Sequence, residues 1–228
     1  MYCRRLCNAA FQPVLQYFGR SRIKLSHLPS ATAAFYQTSP QRMCERLKMP
    51  GDYLVWMDME MTGLDPINDH ILEVSCIVTN ADLNVVQEGP NLIIHQPDEI
   101  LGNMNEWCIK NHGKTGLTEA SRKSTITIQD AQNSLLSFLK ENVPQGKCPV
   151  AGNTIYMDRL FLQYHMPEVN NYLHYRNVDV SSLKELCRRW YPNEFRATPK
   201  KQLKHRALDD IRESIEELKY YRDTIFKK

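Results

Sequence analysis

The chain has 228 residues and a formal net charge of +3, which suits one domain of ordinary size with an appendage. The charge is uneven, because residues 1–44 (the leader) contain six basic residues and no acidic ones. Residues 45–228 (the body) therefore carry a net charge of −3. A protein that grips long nucleic acid usually has a basic body, so this distribution argues against that class.

The leader has the composition of a mitochondrial transit peptide, with arginines, serines, scattered apolar residues and no acids. A disordered basic arm is the alternative. Its apolar residues are too dispersed for a secretory signal or a membrane span, and no membrane association is expected. We therefore expect a protein of the mitochondrial matrix or intermembrane space. Because Met43 and Met49 lie just before the first predicted strand, a shorter cytosolic or nuclear form is a further hypothesis.

The elements predicted along the body are strands first and then alternating strands and helices. Strands are predicted over residues 53–61, 71–79, 85–96, 147–153 and 175–180. Helical patterns follow over residues 98–113, 128–143, 158–164, 182–190 and 208–225, with Ser182 and Glu185 fitting a capping box. Three closely spaced strands indicate an antiparallel meander, and the later alternation predicts an α/β fold in which helices cover a mixed sheet.

Two carboxylates interrupt the apolar run of the first predicted strand, at Asp58 and Glu60. Residues i and i+2 of a strand share a face, so these side chains project together. Two like charges buried without partners are costly, whereas a divalent cation between them removes the repulsion. The alternative is the solvent face of a half-exposed edge strand whose other face carries Val55, Met57, Met59 and Met61.

Further acids stand at the starts of two predicted helices. Asp158 follows a short strand, and the segment from His205 to Asp210 precedes the last helix. Acids at a helix start can simply complement the helix dipole, which is the alternative in both places. Asp210 lies nearer the apolar stripe of its helix than Asp209 does. Asp179 is interpreted as a strand-end residue near a helix cap.

Brought together, these side chains would form a site for hard divalent cations. Two such ions can stabilise both the attacking and the leaving oxygen of a phosphodiester displacement. An imidazole can accept a proton near neutral pH, as a general base for hydrolysis does. The candidate ligands are Asp58, Glu60, Asp158 and Asp210, and the candidate base is His205.

Six segments of the body resemble the oligoribonuclease family of 3′-to-5′ exonucleases, which use four acids and a histidine. The resemblance covers about residues 52–227. The segments are residues 56–65 (WMDMEMTGLD), 88–94 (EGPNLII), 151–153 (AGN), 174–181 (HYRNVDVS), 183–191 (LKELCRRWY) and 205–214 (HRALDDIRES).

The resemblance implies a ribonuclease H-like exonuclease fold of the α/β class, with a mixed five-stranded sheet flanked by helices. It implies that residues 45–228 form the exonuclease domain, with two Mg²⁺ or Mn²⁺ ions. It also implies a homodimer that degrades very short RNA, with short DNA as an open alternative substrate. Its metal acids fall on Asp58, Glu60, Asp158 and Asp210 and its base on His205. The family's His-x4-Asp spacing selects Asp210 over Asp209.

Substrate contacts also carry over from the resemblance. Leu64 matches a wedge between bases, and Trp107 matches an aromatic stacking surface, for which core packing is the alternative. The pocket that closes over the substrate's 5′ end would consist of His112, Ser181 and, from the opposite subunit, Tyr175 and Arg176. Two other functions stay open: a DNA-directed proofreading exonuclease, and a nucleic-acid-binding scaffold without catalysis.

Overall fold

The computed structural model describes residues 52–200 and 205–227, which form five strands and nine helices. The strands are β1 (Leu54–Met61), β2 (Ile71–Thr79), β3 (Val85–Ile93), β4 (Pro149–Gly152) and β5 (His174–Asp179). The helices are α1 (Asp98–Gly102), α2 (Glu106–Thr115), α3 (Leu117–Lys123), α4 (Ile128–Asn142), α5 (Ile155–His165), α6 (Pro167–Tyr172), α7 (Val180–Trp190), α8 (Pro192–Arg196) and α9 (Ala207–Thr224).

The strands form one mixed sheet in the order β3-β2-β1-β4-β5. The first three strands pair antiparallel, whereas β4 pairs parallel with both β1 and β5. The predicted α/β fold and the predicted meander are therefore confirmed. The topology places β1, the strand that carries Asp58 and Glu60, at the centre of the sheet.

Both faces of β1 are covered, so the interpretation of this segment as a half-exposed edge strand is wrong. Val55, Met57 and Met59 lie in a core cluster that also contains buried leucines of α4. Trp56 faces the opposite way and lies in a second cluster with buried residues of α9. Its indole Nε1 donates a 2.9 Å hydrogen bond to Thr79 Oγ1. Asp58 continues the Trp56 face and therefore projects toward α9.

Several predicted boundaries differ from the structure. The helix predicted from residue 158 begins at Ile155, and the strand predicted to residue 96 ends at Ile93. The predicted capping box of Ser182 with Glu185 is wrong, because α7 begins at Val180. Its N-cap is Asp179, whose carboxylate accepts from the backbone N–H of Ser181, as the interpretation of Asp179 near a cap implied. The short helices α3, α6 and α8 were not predicted.

Predictions about the leader, Met43 and Met49 fall outside the described residues. Within residues 52–200 and 205–227, no helix combines the length and the apolar character that a membrane crossing requires.

Candidate active site

The first pair of acids lies on the central strand. Asp58 and Glu60 alternate with the buried Met57 and Met59, so both project from the face of β1 that α9 crosses. Glu60 is buried, with 9% of its surface exposed, and Asp58 is half-buried. Because β1 is covered on both faces, neither carboxylate has the open solvent of an edge strand around it.

The start of α9 brings the next two groups to the same place. His205 has a left-handed backbone with φ of 51°, and Asp210 lies in the first turn of α9. Ligand atoms of Glu60, His205 and Asp210 all lie within 4.8 Å of one another. Asp209 does not belong to this group. The tertiary structure therefore joins the predicted acid of β1 to the predicted histidine and to Asp210.

Asp158 approaches β1 from α5, the helix that follows the neighbouring strand β4. It lies in the first turn of α5 and is buried. The preceding strand comes close to β1, since a Cβ on Gly152 would lie 2.9 Å from the Met57 carbonyl oxygen. Burial raises the pKa of Asp158, and backbone N–H groups, including that of Met59, partly oppose the rise. This approach is close enough for Asp158 to raise the pKa of Glu60.

The acids of the site repel one another. Burial raises the pKa of Glu60 to about 8, and the carboxylates of Asp210, Glu73 and Asp158 contribute to the rise. Such crowding is unfavourable for the bare protein, and a divalent cation relieves it. Carboxylate oxygens are the ligands that Mg²⁺ and Mn²⁺ favour. The residues present therefore fit a divalent-cation site.

The raised pKa of Glu60 predicts a pH-dependent stability of the metal-free protein. A carboxyl whose pKa is higher in the folded state than in the unfolded state stabilises the fold below the unfolded value of 4.5. That contribution is lost as the pH rises through about 8. Above that pH, Glu60→Gln should raise the free energy of unfolding by a few kcal/mol, as measured by urea denaturation with a chelator.

Near pH 3, well below the unfolded value of 4.5, Glu60 is protonated in both states, so the same variant should match the unsubstituted chain in stability. Adding Mn²⁺ above pH 8 should stabilise the unsubstituted chain more than the variant. Equal stability of the two chelated proteins at both pH values would contradict the crowding of the carboxylates.

A cleft of about 420 Å³ lies beside these acids. Its lining includes Glu60 together with Leu64, Trp107 and His112. Leu64 is 70% exposed and Trp107 is 56% exposed, so core packing does not explain Trp107. The Trp107 ring meets the His205 ring edge-on, with centroids 5.4 Å apart. An exposed apolar side chain and an exposed aromatic ring thus line the cleft, and the aromatic ring contacts the predicted base.

His112 lies buried in this cleft rather than on its rim. Its Nε2 is 2.9 Å from the Met61 carbonyl oxygen and must carry the proton, because a carbonyl only accepts. Its Nδ1 lies 3.7 Å from Glu60 Oε2 and has no hydrogen-bond partner among the described residues. Burial holds the pKa of His112 below its ordinary value. The neutral ring therefore leaves a buried acceptor, Nδ1, beside Glu60.

The other predicted substrate residues lie on β5 and at the start of α7. Tyr175 is 75% exposed, and the Arg176 guanidinium lies 5.4 Å from the centroid of its ring. The Ser181 hydroxyl is 3.1 Å from Thr154 Oγ1. The structure therefore groups His112 with Trp107 and Glu60, and Ser181 with Thr154.

Thr154 contacts a predicted site residue, Ser181, and the sequence did not reveal this contact. Its backbone is left-handed, with φ of 55°, which is uncommon for a β-branched residue. Its N–H donates to Asp179 Oδ1, the same oxygen that accepts from Ser181. In the sequence, a threonine before a helix indicates only an ordinary helix cap. Its contact with Ser181 depends on the pairing of β4 with β5, which the sequence does not show.

Comparisons with known proteins agree with this geometry. The family model RNase_T, described as an exonuclease, matches residues 55–218. The human protein named mitochondrial oligoribonuclease is 56% identical over 175 residues, which are 77% of this chain and 74% of that protein. The oligoribonuclease of Pseudoalteromonas atlantica is 57% identical over 173 residues, 76% of this chain and 95% of that protein. A probable oligoribonuclease of Drosophila melanogaster is 47% identical over 214 residues, 94% of this chain and 100% of that protein.

Solved structures show the same fold at low identity. The zinc-bound complex of E. coli exonuclease I with single-stranded DNA has a TM-score of 0.61 at 14% identity, covering 76% of this chain and 41% of that chain. Exonuclease I from Methylocaldum szegediense has a TM-score of 0.58 at 19% identity, covering 76% and 41%. The present chain thus spans about two fifths of these structures. The predicted exonuclease fold and the predicted resemblance are both confirmed, and the chain belongs to the oligoribonuclease family.

Proposed function

We propose that the chain hydrolyses very short RNA from the 3′ end and releases nucleoside 5′-monophosphates. The observation that carries this proposal is the meeting of Glu60, His205 and Asp210 within 4.8 Å. The meeting point borders a cleft with an exposed Leu64 and Trp107. The oligoribonuclease names of relatives more than 50% identical support the same substrate class.

Asp58, Glu60, Asp158 and Asp210 would hold two divalent cations, either Mg²⁺ or Mn²⁺. When bound, such ions supply positive charge for the attacking and leaving oxygens of the phosphodiester. His205 accepts a proton from the attacking water, whose oxygen bonds to phosphorus while the bond to the 3′ oxygen breaks. The 3′ oxygen takes up a proton and remains on the shortened strand.

The cleft residues hold the substrate in place for this attack. Trp107 stacks on a base, an interaction worth about 1–3 kcal/mol, and Leu64 separates neighbouring bases. His112 lines the same cleft and helps to close it over the 5′ end of the substrate. Ser181 closes the 5′ side together with Tyr175 and Arg176 of a second copy of this chain, so the active form is a homodimer. The exposure of Tyr175 in the single chain supports that role.

The leader, residues 1–44, directs the protein to the mitochondrion, and the exonuclease domain occupies residues 45–228. The acid-free composition of the leader supports this assignment. So do the mitochondrial names of the human, mouse and bovine relatives. A form starting at Met43 or Met49 would act in the cytosol or nucleus.

A length series of 5′-phosphorylated RNAs tests the proposed activity. The catalytic efficiency kcat/KM should be highest for strands of two to about five nucleotides and fall at least about tenfold for strands of about twenty, since a closed 5′ side excludes long chains. Matched DNA strands and duplex ends form the control series. A faster reaction on long DNA would favour the proofreading exonuclease, and absence of turnover on every strand would favour the scaffold.

A further inference from the structure

We propose that Glu73 is a positioning residue for His205, acting through Arg206. The inference rests on the proposed function, in which His205 serves as the general base. The Glu73 carboxylate binds the side chain of Arg206, the residue that directly follows His205. It thereby holds the backbone from which the imidazole reaches the site.

The contact between Glu73 and Arg206 is a two-point ion pair. Arg206 Nε donates to Glu73 Oε2 at 3.0 Å, and the guanidinium Nη2 donates to Glu73 Oε1 at 2.8 Å. The backbone N–H of Ala207, the first residue of α9, lies 3.4 Å from Glu73 Oε2. A planar guanidinium on a planar carboxylate restricts both the distance and the orientation of the two groups. One carboxylate therefore secures the residue before α9 and the first turn of that helix.

The location of Glu73 connects this ion pair to the site. Glu73 is 0% exposed and stands on β2 directly opposite Glu60 in the antiparallel register. A buried carboxylate is unfavourable unless it is paired, so an ion pair in this place is weak evidence for stability alone. A fixed geometry next to Glu60 is a more specific benefit.

The backbone of His205 needs such support. Its φ of 51° is a left-handed backbone conformation that residues other than glycine seldom adopt. Conformations of this kind persist at functional sites when surrounding contacts over-determine them. Arg206 supplies the contact on the C-terminal side of His205, and the Trp107 ring supplies a contact to its imidazole.

The first test is the Glu73→Gln variant, which keeps the size of the side chain and removes its charge. With a 5′-phosphorylated RNA dinucleotide, kcat should fall about 10- to 100-fold, because a misplaced general base is inefficient. KM should change less than about threefold, since the Leu64 and Trp107 cleft is untouched. Arg206→Lys keeps the positive charge but loses the two-point geometry, so it should also lower kcat and leave KM nearly unchanged.

The matched control is Glu88→Gln. Glu88 of β3 also accepts from an arginine of α9, with Arg212 Nη2 3.0 Å from both of its carboxylate oxygens, but this pair is exposed. The kcat of Glu88→Gln should stay within about twofold of the unsubstituted chain. An equal loss of kcat in the Glu88 and Glu73 variants would overturn the positioning role.

A double-mutant cycle separates positioning from a general effect on folding. In a His205→Asn background, Glu73→Gln should lower the residual rate by less than about twofold, because the group that it positions is already gone. A loss as large as in the unsubstituted background would show that Glu73 acts elsewhere. Thermal unfolding of each variant, with the Glu88 variant alongside, shows whether the fold persists.

A spectroscopic measurement that does not depend on catalysis tests this inference separately from the proposed function. The imidazole resonance of His205, assigned by its loss in His205→Asn, should shift and broaden in Glu73→Gln but not in Glu88→Gln. An unchanged resonance overturns the inference even when RNA is hydrolysed. A shifted resonance in a protein that hydrolyses no RNA would refute the function and leave the positioning contact supported.

Discussion

Replacing Asp210 with asparagine should lower the rate of dinucleotide hydrolysis about a thousandfold or more, whereas Asp209→Asn should keep it within about threefold. The difference follows from position, since Asp210 shares a 4.8 Å group with Glu60 and His205 and Asp209 does not. Loss of one carboxylate removes charge that holds the cations, and these contribute several kcal/mol to transition-state stabilisation. About 1.4 kcal/mol corresponds to a tenfold change in rate.

The two aspartates make a closely matched pair, because they are adjacent and both lie in the first turn of α9. Calorimetric titration with Mn²⁺ should show weaker binding for Asp210→Asn and unchanged binding for Asp209→Asn. Comparable losses in both variants would indicate a general effect on the helix start. Full activity of Asp210→Asn would remove this residue from the metal site.

His205→Asn should lower kcat by about 10²- to 10⁴-fold, the usual contribution of a general base. The asparagine fills similar space and tolerates the left-handed backbone of this position better than most residues. It cannot accept a proton near neutral pH. The rate is measured on the same dinucleotide at saturating substrate and metal concentrations, so that kcat alone is compared.

The role of His205 as a base, rather than as a metal ligand, depends on a second measurement. Replacing a general base should change the Mn²⁺ affinity by less than about threefold. Replacing a metal ligand should lower the Mn²⁺ affinity together with kcat. His95→Asn is the control, because His95 is an exposed histidine that does not belong to the group of Glu60, His205 and Asp210. A metal affinity that falls together with kcat would assign His205 to the ligands.

Much of the site was predictable from sequence, because its chemistry depends on local rules. Residues two apart on a strand share a face, so the spacing of Asp58 and Glu60 was enough to predict a pair of carboxylates. The apolar stripe of the last helix favoured Asp210 over Asp209 before any distance was known. Ordered motifs over most of the body then indicated the family, which the comparisons confirm.

Contacts between distant strands and helices were beyond the sequence. In the sequence, Glu73 is simply the one charged residue of a mostly apolar strand, and its partner Arg206 lies more than a hundred residues away. The left-handed backbones of Thr154 and His205 carry no signal in residue type, since neither is a glycine. The capping box at Ser182 failed because Asp179 was a competing cap one turn earlier.

The sequence by itself determined which side chains are the candidates for the chemistry and which family the body resembles, because motifs and strand periodicity are properties of adjacent residues. The tertiary structure decided how those side chains meet. β1 lies between β2 and β4, and its burial raises the pKa of Glu60. The packing of α9 across β1 brings Asp210 and His205 close to Glu60. Such effects arise from pairing and packing over long sequence separations, which no local pattern encodes.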